Sequence, residues 1–227
     1  MFRDPRHRNA ALGILGIFMT GIFLTWFPAQ VLRVWTPPHP VDRWVFTVIW
    51  QTTMVIVMPY AWAAARLGRS PASLGLTRKN LSRSLLLGCA LYAIALIAFI
   101  SAAKTPLIQH HLVRQVPPLR VLELGGAMCL GAAGTDVATR GFILLTLMEV
   151  TNIPFAVAMQ NIFWMFGHAH EIRMIAGAFG MPGAIALNIF LGLVGDSIVL
   201  RTRNVAGIAI AHALLNVAMI LYMRFVM

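Results

Sequence analysis

The amino-acid sequence predicts an all-α polytopic membrane protein, a transmembrane helical bundle of about seven spans. Three observations carry this. Of 227 residues, 59% are hydrophobic and only 11% are charged, against roughly 45–50% and about 25% in ordinary globular domains. Mean hydropathy is +0.78. The chain also divides into apolar runs long enough to cross a bilayer, which takes about 20 residues of helix. A soluble chain with so few charges would leave its surface uncovered, so a cytosolic enzyme, a disordered tail and a secreted disulfide scaffold are excluded.

The spans follow in order. Residues 10–29 and 44–65 carry no charge, and Pro37, Pro38 and Pro40 mark the loop between them. Residues 1–69 therefore read as an N-terminal transmembrane hairpin, and 70–227 as the main membrane domain. The first run has no small-residue cleavage site behind it and is followed by Arg33 and Trp35, so it reads as a span rather than a signal peptide. Residues 84–103 form a third uncharged run. The fourth, 118–148, is entered through Pro117 and Pro118 and interrupted by Glu123, Asp136 and Arg140. The fifth, 150–168, runs into His168, His170, Glu171 and Arg173, and the last two cover 174–195 and 204–223.

The net charge of +11, from 18 Lys and Arg against 7 Asp and Glu, would point to nucleic acid in a soluble domain. Here the cations flank apolar segments. Arg3, Arg6 and Arg8 precede the first span, and Arg66, Arg69, Arg78, Lys79 and Arg83 share one connection. Fewer mark the opposite loops, at Arg33, Arg43, Lys104, Arg114 and Arg120. That asymmetry puts the N-terminus in the cytoplasm and makes membrane lipids, not nucleic acid, the partner of the charge. Cys89 and Cys129 lie in apolar runs without CxxC spacing and read as small core residues rather than a disulfide or metal pair.

Ionisable groups at membrane depth are costly unless paired or facing water, which makes the few present informative. Asp136 and Arg140 are spaced i, i+4, share one helix face and can pair. His212 and Asn216 have the same spacing, and His168 ends another span. These groups are expected to converge, with Asp136 or Thr135, in one pocket. Asp196 has no good partner nearby in sequence, since Arg201 lies at i+5. It reads first as an interfacial aspartate at a helix end, and alternatively as a substitute carboxylate or a partner for Arg140.

Three membrane-protease signatures fail. An HExxH zinc site beginning at His170-Glu171 would need a histidine where Met174 stands. Gly195-Asp196 is close to the GxGD of aspartyl proteases, but Leu193 occupies the first position and no partner Tyr-Asp exists. No GxS lies wholly within an uncharged run; Gly195-Asp196-Ser197 only begins at the last residue of 174–195.

One arrangement fits. Thr135-Asp136-Val-Ala-Thr-Arg140-Gly141, then Trp164-Met-Phe-Gly-His168, then His212-Ala-Leu-Leu-Asn216 resembles the three signatures of the CPBP (CAAX protease and bacteriocin-processing, or ABI) family, whose usual forms are E-E-x-x-x-R-G, F-x-x-x-H and H-x-x-x-N. Ser73-Leu-Gly-Leu-Thr77 and Leu200-Arg201-Thr202 extend the likeness, which covers roughly residues 70–222. The resemblance implies a CAAX-protease-like fold in the bacterial inner (cytoplasmic) membrane. It also implies a membrane-associated peptide or protein as substrate or partner.

In that family the first Glu activates the attacking water. The histidines and Asn position the water or stabilise the oxyanion, and participation of zinc is open. Carried over, the resemblance implies the catalytic set Asp136, Arg140, His168, His212 and Asn216. The first motif departs from the pattern: Thr135 stands where the base Glu belongs, and a hydroxyl cannot take a proton as a carboxylate does. Asp136 lies about 100° further round the helix and faces neutralisation by Arg140. Two readings stay open. One is a divergent intramembrane endopeptidase using Asp136 or Asp196. The other is a catalytically inactive homologue acting as a scaffold, assembly subunit or chaperone.

Overall fold

The computed structural model describes residues 70–103 and 117–226, with scattered positions before residue 70. The predicted hairpin of residues 1–69, its spans at 10–29 and 44–65 and the N-terminal basic cluster lie outside the continuously described residues. Every element among the described residues is helical.

A short 3-10 turn, Pro71–Leu74, opens the domain, with Ser70 accepting from the Ser73 amide at 3.2 Å. Helix α1, Leu81–Ala102, follows. Helix α2, Pro118–Asp136, starts at a proline pair, where the missing amide costs nothing. It then widens into a π-helical segment, Val137–Leu144, before returning to α-geometry as α3, Leu145–Val150. Thr139 Oγ1 donates to the Thr135 carbonyl at 2.7 Å where the helix widens, and the Leu145 amide reaches back to Arg140. Every residue from Ala138 to Leu144 is buried. Helix α4, Ile153–Gly167, is capped by Asn152, whose side chain accepts from the Phe155 amide at 2.9 Å. Helix α5, Ala169–Thr202, is broken at Gly180 (φ 69°, ψ 161°), a backbone conformation closed to residues with a Cβ, and Pro182 restarts it. Helix α6, Ala206–Phe225, completes the domain.

Four stretches are long and apolar enough to cross a membrane: Leu81–Ala102, Pro118–Val150, Glu171–Thr202 and Ala206–Phe225. The protein is an integral membrane protein. The span expected at 150–168 corresponds to α4, an apolar helix of 15 residues, about 22 Å long and shorter than the other four. Of the seven expected spans, four correspond to membrane-length helices and one to this shorter apolar helix among the described residues, and the two at 10–29 and 44–65 lie outside them.

Two apolar clusters hold the bundle. One gathers Leu74, Leu91, Tyr92, Phe142, Trp164, Val205 and their neighbours at the end where α1 begins. The other gathers Phe99, Ala102, Met219, Ile220 and Met223 at the far end. Small residues let α1 and α6 close on each other. Gly88 lies against Ala211 and Ile208, and Gly207 against Ser84 and Leu85. At the near end the connections are locked by buried Asn204. Its side-chain amide donates to the Thr77 and Lys79 carbonyls at 2.6 and 2.8 Å, and its Oδ1 accepts from the Gly207 amide at 2.7 Å. Ser84 Oγ donates to the Asn204 carbonyl at 2.8 Å, and Asn80 Nδ2 to that of Thr202 at 2.9 Å. Both cysteines are free. Cys129 is partly buried, but Cys89 is exposed on the outside of α1 rather than in the core.

Candidate active site

Arg140 is the hub, and it is completely buried. It sits in the π segment, with Asp136 at the end of α2, and its NH1 pairs closely with Asp136 Oδ1. Its Nε reaches Asp196 Oδ1 at 3.3 Å. NH1 also donates to the Tyr92 hydroxyl at 3.3 Å, and NH2 donates to the Leu191 and Gly192 carbonyls, both at 3.4 Å. The Arg140 guanidinium carbon lies 4.1 Å from the ring centre of Trp164, which adds a cation–π contact in a desolvated setting. Gly195 makes the approach to α5 feasible, because a Cβ there would overlap the guanidinium group.

Asp136 Oδ2 accepts from the Tyr92 hydroxyl at 3.2 Å and faces His212 Nδ1 at 3.0 Å. Asp196 Oδ2 accepts from Asn161 Nδ2 at 2.8 Å. One guanidinium between two carboxylates leaves an excess negative charge while the histidines are neutral. Donors from Tyr92 and Asn161 stabilise it where water is scarce.

Four rings line the site. Tyr92 stacks on His212 with centroids 4.5 Å apart, His212 on His168 at 5.5 Å, and His168 on Trp164 at 3.9 Å. The two histidines are oriented alike. His212 Nδ1 faces a carboxylate, and His168 Nδ1 lies 2.9 Å from the Trp164 carbonyl. An ionised carboxylate and a carbonyl only accept hydrogen bonds, so each neutral imidazole carries its proton on Nδ1 and keeps a bare lone pair on Nε2.

The structure thus brings Asp136, Arg140, His168 and His212 together. Asn216 departs from the expected convergence: its Nδ2 donates to the Met128 carbonyl on α2 at 3.0 Å. An i, i+4 step advances about 40° round a helix, and from there the amide reaches the neighbouring backbone instead of the rings. Thr135 lies beside the site, half-buried, with its hydroxyl donated to the Gly131 carbonyl at 2.8 Å. Asp196 is not the interfacial aspartate expected first. It is 1% exposed and paired with Arg140. Tyr92 and Asn161 carry no sequence signal of their role, since each is an uncharged polar group inside an apolar run whose partner lies on another helix.

A zinc centre takes three or four protein donors. Among the described residues no three His, Cys, Asp or Glu side chains are grouped to hold a metal ion, and Asp136 is already engaged by Arg140, Tyr92 and His212. These residues do not fit zinc, and no step is assigned to it.

Residues 117–218 match the family model Rce1-like, described as type II CAAX prenyl endopeptidase Rce1-like. No curated protein and no solved structure matches the chain. The matched span is narrower than the 70–222 of the motif resemblance, yet it contains all three motifs, the π segment that carries Arg140, and both histidines. Residues 117–218 are thus similar to the Rce1-like branch of the CAAX-protease (CPBP) family, the family that the three motifs resemble.

Proposed function

We propose that the protein is a divergent intramembrane endopeptidase that hydrolyses a peptide bond in a membrane-associated peptide or protein, with His212 as the general base in place of the missing glutamate. The observation that carries this reading is the Asp136–His212 contact at 3.0 Å. A carboxylate on Nδ1 sets the tautomer, orients the ring and stabilises the imidazolium that forms, while Nε2 takes the proton. His212 Nε2 removes a proton from water as the hydroxide oxygen bonds to the scissile carbonyl carbon. The C–N bond then breaks, and the same proton passes from Nε2 to the departing amine. His168, with its own Nε2 bare, accepts a hydrogen bond from the other O–H of that water and orients it. Arg140 acts through Asp136.

The alternative, an inactive homologue serving as a scaffold, draws support from Thr135, whose hydroxyl is tied to its own helix. The two are separated by reconstituting the protein with membrane-anchored peptides and reading the new N-termini. The protease reading expects cleavage that falls about 10²–10⁴-fold in His212→Ala. Cleavage that survives both His212→Ala and His168→Ala overturns it. So does absence of cleavage together with a stoichiometric membrane partner that co-purifies.

A further inference from the structure

The fold assembles a second feature that the hydrolytic reading does not use. Arg78, Lys79 and Arg83 precede or open α1, whereas Arg201 and Arg203 close α5, more than a hundred positions away. The hydrogen bonds of Asn80 to Thr202 and of Asn204 to Thr77 and Lys79 clamp these two segments side by side. Val205 adds a backbone bond to the Gly75 carbonyl at 2.8 Å. All five cations are exposed, and neither segment, 70–83 or 200–206, contains an Asp or Glu. The ion pairs of the described residues lie elsewhere, at Arg120 and in the buried site. The cations therefore form a collar around the ends of α1, α5 and α6.

We infer that this collar is a binding site for the phosphate headgroup of anionic phospholipids. Its position supports this, because the ends of membrane-length helices lie at headgroup depth, where each Lys or Arg strengthens attachment to an anionic surface on the order of fivefold. Its build supports it too. Scattered surface cations would be mobile with respect to one another, but here buried Asn204 fixes the two basic segments in one frame. The chemistry is that of a phosphate monoanion met by several guanidinium groups. The collar also lies about 9 Å of helix from His212, counted from Ala206 along α6, so a bound lipid stands at the end of the bundle nearer the candidate site.

The test uses the whole chain purified in neutral detergent. Retained lipid is measured by native mass spectrometry and the melting temperature by fluorescence, during titration with phosphatidylglycerol, phosphatidylcholine or inorganic phosphate. The expected result is preferential retention of phosphatidylglycerol with a rise in melting temperature, and no such rise with phosphatidylcholine or millimolar phosphate. R201Q/R203Q and, separately, R78Q/K79Q/R83Q weaken the preference about tenfold or more, and added salt weakens it in the parent. Arg224→Gln, at the opposite end of α6, leaves it intact. The inference is overturned if both multiple variants keep the parent's preference, or if Arg224→Gln loses it equally. It is also overturned if inorganic phosphate alone reproduces the shift. Peptide cleavage plays no part in these readouts, so they stand or fall apart from the proposed hydrolysis.

Discussion

Asp136 and Asp196 are the same kind of side chain, both buried, and both paired with Arg140. Their second oxygens make the difference. That of Asp136 meets a tyrosine hydroxyl and an imidazole at the ring wall. Among the described residues that of Asp196 meets the Asn161 amide alone, on the side where α4 closes on α5 at Gly192. One carboxylate thus adjoins groups that can move a proton, and the other adjoins groups that can only hold position. Burial and pairing alone do not mark a catalytic residue, since the chemistry of the remaining lone pairs decides.

The harshest way to break the comparison is to remove what the two carboxylates share. Arg140→Leu leaves both buried without their cation, and loss of one partner from a buried pair costs about 3–5 kcal/mol. The expected outcome is a fall in folded yield and a large drop in melting temperature. Asp136→Asn added to it recovers only part, because Asp196 is still uncompensated. Neutralising Asp196 as well, with Asn, recovers more. If Asp136→Asn alone restores the full stability, Asp196 is not part of the same electrostatic unit.

How legible this was depends on sequence distance. Asp136 and Arg140 are one helical turn apart, so the pair followed from spacing alone. The Asp196 partner is 56 positions away on another helix, and with only Arg201 nearby in sequence the pairing with Arg140 stood second to an interfacial position. Asn216 failed for the opposite reason. Its spacing from His212 placed it on nearly the same stripe, but a 40° offset is enough to hand an amide to the next backbone. The π segment leaves no trace in the apolar pattern, because every residue from Ala138 to Leu144 is buried. What remained readable was the order of motifs along apolar runs, and all three motifs fall within the family match at residues 117–218.

Under the proposed hydrolysis, a gentler cut separates the carboxylates in function. Asp136→Asn can place an amide N–H against His212 Nδ1 and so favour the wrong tautomer. Peptide cleavage is expected to fall about 10²–10⁴-fold, with the stability change much smaller than for Arg140→Leu. Asp196→Asn keeps the shape at its position and leaves Asp136 on Arg140, so cleavage is expected to fall less than about tenfold. Equal losses in the two variants would make Asp196 as catalytic as Asp136 and erase the distinction. Steady-state rates on one membrane-anchored peptide decide it.

Packing distinguishes the Asp196 side further. Gly195→Ala places a methyl group against the Arg140 guanidinium, which is held from five directions and has little room to yield. Overpacking of this kind costs about 1–3 kcal/mol. The melting temperature should fall, and the loss should shrink in an Arg140→Lys background, where the planar group is gone. If Gly195→Ala costs the same in both backgrounds, its effect comes from helix packing unrelated to the arginine.

The smallest effect belongs to Thr135, on the Asp136 side, where family resemblance would place the largest. Its hydroxyl donates to the Gly131 carbonyl one turn back, a bond internal to the helix that needs no side chain to satisfy the carbonyl. Thr135→Ala therefore removes no partner from Asp136, Arg140, His168 or His212. Stability should change by less than about 0.5 kcal/mol, and cleavage by less than about twofold if His212 is the base. Thr135→Glu is the companion test. The methyl of Thr135 lies where a Cβ on Gly167 would make ordinary contact at 3.5 Å, so a longer carboxylate from this position extends toward the turn that carries His168. A protein that depends on His212 gains modestly from a second base and still loses most of its rate with His212→Ala. A protein silent as wild type and cleaving only as Thr135→Glu would instead be the inactive homologue, with a site intact except for the one group that it lacks.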